Sequence, residues 1–160
     1  MARPNFDPDT ILLSSARKPV ILNTDRDAIA SEAATPGMLM ESHRPSATLY
    51  RWRKNASATD LAQIAVLLEG RFVGQNTGVD VACAAEDLVP IALLGAGDVF
   101  WGLIPSGQTV NYDTRLQSNA DGNLKVATAD TADAGVARLK SLDELGAVTV
   151  TTRCRVEVIA

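Results

Sequence analysis

The chain reads as mainly β: a compact β-barrel or β-sandwich of short antiparallel strands with an extended N-terminal arm. Three observations predict this. Residues 147–159 alternate, with Val148, Val150, Thr152, Cys154, Val156 and Val158 on one side and Thr149, Thr151, Arg153, Arg155 and Glu157 on the other. That is the period of a strand with one buried and one exposed face. Short apolar runs such as Val99-Phe100-Trp101-Gly102-Leu103-Ile104 stand between turn residues, as strands do. Finally, Pro4 and Pro8 punctuate the first ten residues; proline fixes φ and removes a donor, which disfavours a helix there.

Residues 1–18 are assigned to the arm and 19–160 to a single β-rich domain. A chain of 160 residues defaults to one domain and can bury a real core. Hydrophobic residues make up 46% and aromatics only 4%, so Val, Leu, Ile and Ala must fill that core. The net charge of −4 disfavours a nucleic-acid binder, which needs a basic footprint. The first residues, MARPNFDPDT, lack the apolar core of a signal peptide, and no apolar run approaches a membrane span. A cytosolic protein is the expectation.

In order, the arm reads either as a frayed terminus or as a segment that orders against a partner, with Phe6 as its one large apolar anchor. Val20 to Thr24 reads as a strand. Thr35-Pro36-Gly37 suits a type II turn, with Pro at i+1 and Gly at i+2. Met38 to Glu41 reads as a second strand, paired with 20–23. Leu49-Tyr50-Arg51-Trp52-Arg53 alternates, with the aromatics toward the core and the arginines toward solvent. This basic stretch, Arg51, Arg53 and Lys54, is either a charged edge that blocks unwanted pairing or a contact patch for an acidic surface. Single-stranded nucleic acid ranks third.

Residues 60–69 are ambiguous. Leu61, Ile64, Leu67 and Leu68 fall at helical spacing behind a capping Thr59 or Asp60. Leu88 to Leu94, interrupted at Pro90, reads as an edge or bulged strand. Ala96-Gly97-Asp98 and Pro105-Ser106-Gly107 are turns. Asn119 to Asn123 contains an Asp-Gly pair suited to a tight hairpin, after which Leu124 and Val126 restart a strand. Residues 135–139 read as a strand, and 141–146 as a loop or one helical turn ended by Gly146.

The order of residues from Gly97-Asp98 through Ser106-Gly107-Gln108-Thr109-Val110 to Leu116-Gln117-Ser118-Asn119-Ala120-Asp121-Gly122-Asn123-Leu124-Lys125 resembles the capsid decoration (cement) proteins of tailed phages. The similarity extends through Ala134 to Ala137 and the strand from Arg153 to Val158, with a fainter match at Pro36 to Glu41. The resemblance implies a strand at 65–69. It implies a structural virion protein on the outer surface of the capsid, assembled in a bacterial cytoplasm. Such a subunit binds capsomer junctions and cross-links the major capsid protein against the pressure of packaged DNA. It implies a self-associating subunit, with a homotrimer ahead of a homodimer. The longer N-terminal arm, with Arg3, Pro4, Asn5 and Phe6, and the basic stretch of Arg51, Arg53 and Lys54 depart from the family pattern, and these residues are the candidates for capsid or partner contact. The alternative class is a β-domain that binds a carbohydrate or host-surface ligand, or a small enzyme with an unrecognised site.

Chemical constellations are missing. The lone His43 lies among polar residues, where no triad partner orients it. Glu86-Asp87 and Asp143-Glu144 are sequence neighbours whose side chains diverge on a strand. Cys83 and Cys154 form no CxxC and, with one histidine, no zinc set, so both read as reduced apolar residues. Asn119 to Asn123 lacks the flanking acids of a calcium loop. No catalytic residue, metal or cofactor is expected, and neither nucleic acid nor membrane is a predicted partner.

Overall fold

Alternation of the kind seen in 147–159 requires a second layer to receive the buried side chains, and the fold supplies it. The structure is a computed structural model that describes residues 10–14, the backbone of 20–22, 28–58, 63–70, 78–128 and 138–159. The strands are β1 Leu12–Ser14, β2 Val20–Leu22, β3 Leu39–Ser46, β4 Leu49–Lys54, β5 Ile64–Leu67, β6 Ile91–Leu94, β7 Val99–Ile104, β8 Thr109–Val110, β9 Arg115–Ser118, β10 Leu124–Val126, β11 Leu139–Ser141, β12 Gly146–Ala147 and β13 Thr152–Val158. There is no helix among the described residues.

The strands form a six-stranded sheet in the order β1-β7-β13-β11-β9-β10 and a five-stranded sheet in the order β2-β6-β5-β3-β4, with β12 and β8 as a separate pair. Every strand pairing is antiparallel. Neither sheet closes on itself, so of the two expected architectures the fold is the sandwich and not the barrel.

The layers meet in one core. Leu39, Ile64, Val66, Ala92 and Leu94 of the five-stranded sheet pack with Phe100, Ile104, Leu116, Leu124, Leu139, Cys154, Val156 and Val158 of the other. Alternation sends the intervening residues of the five-stranded sheet, Met40, Ala65, Leu67 and Ile91, to its opposite face. There they join Ala28, Ala30, Ala34, Trp52 and Val89 in a second cluster. Backbone bridges Ile29↔Leu88, Ala30↔Trp52 and Ala34↔Cys83 fasten the covering segments in place.

Two glycines let the layers approach. A Cβ on Gly102 would lie 2.4 Å from Leu124 Cδ1. Gly37, at φ +92°, closes the turn in which Met38 N–H donates to Thr35 O (3.1 Å), and a Cβ there would lie 2.5 Å from Trp101 O. The type II turn read from Pro36-Gly37 is therefore present. Arg153 locks this corner. Its guanidinium donates to Pro36 O (2.9 Å), Val79 O and Asp80 Oδ1 (2.8 Å).

Several expectations are corrected. β3 pairs with β4 and β5, whereas β2 pairs with β6. β6 begins after Pro90 and is internal, between β5 and β2; a proline just outside a strand interrupts no ladder bond, and Pro90 O accepts from Leu68 N–H (2.9 Å). By contrast, the strand expected at 65–69 is present, at 64–67, with all four side chains buried. The Asn119–Asn123 connection is a five-residue loop with Ala120 (φ 65°) and Gly122 (φ 84°) left-handed, rather than a two-residue hairpin. Gly146 ends no helical turn; it opens β12.

Val150 is the clearest departure, at 67% exposed. Strand β13 starts only at Thr152, and Val148 is held instead by bonds from its N–H to Gln108 O and from Gly107 N–H to its own carbonyl (both 2.8 Å). Of the stretch assigned to the arm, Ile11 is fully buried and β1 pairs with β7. Residues 1–9 and 15–19 lie outside the described residues, as do 135–137 of the expected 135–139 strand.

Candidate partner-contact surface

The basic stretch lies on β4, the outer strand of the five-stranded sheet, in a hairpin with β3. β5 pairs with β3 only at Leu39 and Met40. Beyond that point the hairpin runs on as a two-stranded finger, and residues 44–50 are all exposed. The sequence explains why. Glu41-Ser42-His43-Arg44-Pro45-Ser46 offers nothing apolar to bury, and Pro45 removes a ladder donor where the register slips between His43 and Ser46.

The aromatics on β4 divide. Trp52 is buried (7% exposed), with its N–H bonded to Ile29 O (2.8 Å) and its carbonyl accepting from Ser31 N–H (2.7 Å). Tyr50, two residues out and on the same face by alternation, is 57% exposed, contrary to its assignment to the core. Arg44 stacks over its ring at 4.9 Å and donates to Ala47 O, a cation–π arrangement.

Each basic residue of the predicted patch has its own glutamate. Arg51 Nη2 lies 2.8 Å from Glu86 Oε2, Arg53 Nε 2.7 Å from Glu41 Oε1, and Lys54 Nζ 3.3 Å from Glu32 Oε2. Glu32 also accepts from Lys54 N–H (3.0 Å), and Glu41 from Asn55 Nδ2 (3.1 Å). Buried Asn55 in turn accepts from Ser118 Oγ (2.6 Å), tying the base of the finger to the end of β9 in the other sheet. The stretch is thus locally neutral, and the cation left without a carboxylate in the hairpin is Arg44. Sequence reasoning missed this because the three glutamates come from separate segments. Only Glu41, directly opposite Arg53, could have been found once the β3–β4 register was known. Arg3, Pro4, Asn5 and Phe6 lie outside the described residues.

The reactive residue types take structural positions. His43 sits opposite Arg51 in the finger. Cys154 is fully buried with its thiol 3.1 Å from Ser141 Oγ. Burial pushes its pKa up to about 11, against the lowering effect of the Ser141 hydrogen bond, so it stays in the unreactive thiol form at neutral pH. Burial likewise raises Cys83. Asp143 accepts from the Arg155 backbone N–H (2.8 Å), Nε (2.8 Å) and Nη2 (2.6 Å). Asp98 closes a turn by accepting from Gly95 N–H (2.8 Å). Among the described residues no group of three or more His, Cys, Asp or Glu is arranged to hold a metal, and no helix is long and apolar enough to cross a membrane.

No protein-family model and no curated protein matches the chain.

Proposed function

We propose that the protein is a structural subunit of a phage virion that binds the outside of an icosahedral head and cements neighbouring major capsid subunits against internal DNA pressure. The observation that carries this reading is the order of turn and strand signatures from Gly97 to Lys125, which here occupies one continuous run from the turn before β7 to β10. The chemistry is geometric. A sandwich with a shared core gives a rigid body, and many modest contacts repeated by symmetry make loss of any one capsid subunit cooperative. The N-terminal arm adds contact area to the shell through Phe6 and Arg3.

Heads assembled without the protein test this. Purified full-length protein should bind them saturably on the outer surface and raise the temperature at which they rupture. Deleting residues 2–10 should lower occupancy and heat resistance while leaving the melting temperature of the free protein nearly unchanged. Heads that take up no protein, or that rupture at the same temperature with and without it, would sink the reading.

A further inference from the structure

Among the described residues, exposed apolar side chains gather in pairs at two places on one side of the five-stranded sheet. One is the β3–β4 finger, where Leu49 is 43% and Tyr50 57% exposed. The other is a shallow groove lined by Pro36, Leu67, Val81, Cys83, Leu88 and Pro90. At its surface Val81 and Leu88 are 46% and 48% exposed. Exposed apolar groups gathered beside polar ones mark interaction sites more often than scattered single residues do.

Their charges are opposite. From Ser42 to Tyr50 the finger carries Arg44 and no carboxylate. From Gly78 to Pro90 the segment that forms the groove carries Asp80, Glu86 and Asp87 and no lysine or arginine; Arg153 pairs with Asp80 and Arg51 with Glu86, which leaves Asp87, whose Oδ2 accepts from Ala84 N–H (2.7 Å), as the segment's carboxylate for an incoming cation. Asp87 itself lines the groove. The finger offers a cation beside two apolar side chains, and the groove offers a carboxylate beside two others. Both halves of a complementary contact are present on one chain, which is what self-association requires.

Their placement sets the symmetry. Tyr50 shares the β4 face with Trp52, and Trp52 belongs to the same cluster as Leu67 and Val89, on the groove side of the five-stranded sheet. The Arg51–Glu86 ion pair (2.8 Å) holds the groove segment beside the base of the finger. Finger and groove therefore open on one face. When two copies turn these faces together about a twofold axis, each finger lies over the other copy's groove, and every contact occurs twice.

We propose that two copies of this chain associate through this face, Leu49 and Tyr50 of each seating against Val81 and Leu88 of the other, with Arg44 directed at Asp87. This inference does not depend on the capsid reading, and its test needs no shell.

Sedimentation of the full-length protein over a range of concentrations should show a reversible dimer. The finger variant Leu49→Ser/Tyr50→Ser and the groove variant Val81→Ser/Leu88→Ser should each weaken dimerisation about a hundredfold or more. An equimolar mixture of the two variants should dimerise more tightly than either alone, because one of the two finger–groove contacts is then intact. A merely structural role for these residues would not produce that rescue. Arg44→Glu should also weaken the dimer, and adding Asp87→Lys should restore part of the loss. Should a serine variant melt early, the charge-reversal pair, which alters only polar groups outside the core, decides alone. A concentration-independent monomer, association that survives both variants, a mixture no tighter than its components, or a closed trimer would each overturn the proposal. So would a wild-type monomer whose finger variants lose only shell binding, which would assign the finger to the capsid.

Discussion

Around β5 both faces of the five-stranded sheet are covered. Ile64 and Val66 face the shared core while Ala65 and Leu67 face Ala28, Ala30 and Val89, so β5 is apolar at every position. The six-stranded sheet is covered on one face. Cys154, Val156 and Val158 point inward, while Arg155 and Glu157 between them make ion pairs on the outer face, with the buried Asp143 and the partly exposed Lys140. The difference shows how the same pleat can yield two kinds of sequence. Where one face meets water the period of two survives in the residue types, and where neither does the period is erased. It also says where stability resides: in single buried positions of β13, and in two independent layers through β5.

The sharpest way to break this comparison is a charge on the inward face of β13. Val156→Asp places a carboxylate in the shared core, where Val156 is fully buried. It should cost about 4 kcal/mol or more and leave the domain unfolded at ordinary temperature. Arg155→Ala, one residue along, takes the guanidinium from the buried Asp143 carboxylate but leaves it the bond from the residue 155 backbone N–H, and should cost less than a charge in the shared core. Circular dichroism melts of the two decide it, and equal melting temperatures would refute the one-sided burial.

The two-sided sheet should respond in both layers. Leu67, 1% exposed, faces only the second cluster. Leu67→Ala should cost about 3 kcal/mol, less than the charge but enough to show that the 28–34 and 83–90 segments form true core. A change below about 1 kcal/mol in urea denaturation would mean that this layer is a loose cover.

This contrast also explains what could be read from the sequence. β7 and the inward face of β13 from Cys154 to Val158 were legible because alternation and flanking turns mark a half-buried strand. The Pro36-Gly37 turn was legible because only one turn type suits that pair. β5 was expected only through the family resemblance, because a fully buried strand has no period, and Ile64 and Leu67 fall with Leu61 and Leu68 at helical spacing. Pairing was not legible. β3 leaves β2 for β4 and β5 through long-range contacts that no local signal carries. In the candidate surface, the basic residues were visible but their neutralisation by Glu32, Glu41 and Glu86 was not, since it depends on that pairing.

An effect of similar size should appear only at alkaline pH. Burial raises the Cys154 pKa to about 11, whereas an unfolded thiol ionises near about 8.5. The folded state therefore favours the protonated thiol. Its stabilising contribution is complete below the unfolded value and is lost as pH rises through the folded one. Between about pH 8.5 and 11 the wild type should lose about 3 kcal/mol that Cys154→Val does not lose. Parallel stability–pH curves for the two proteins would remove the thiol from the account.

The smallest effect should come from Val150. By parity alone it belongs with Cys154, Val156 and Val158, and a charge there would be as damaging as one at Val156. Residues 148–151 have left the sheet, however. Val148 is held by the loop around Gly107 and Gln108, Thr152 Oγ1 donates to Val150 O (2.8 Å), and the Val150 side chain stands in solvent. No desolvation accompanies a carboxylate at this position, and no packed neighbour is lost. Val150→Asp should therefore shift stability by no more than about 0.5 kcal/mol, the ordinary range for surface substitutions. Measured beside Val156→Asp by urea denaturation, it separates burial from sequence period within one alternating run. A large loss at Val150 would mean that the strand continues inward to residue 148 and that its exposed face has been assigned wrongly.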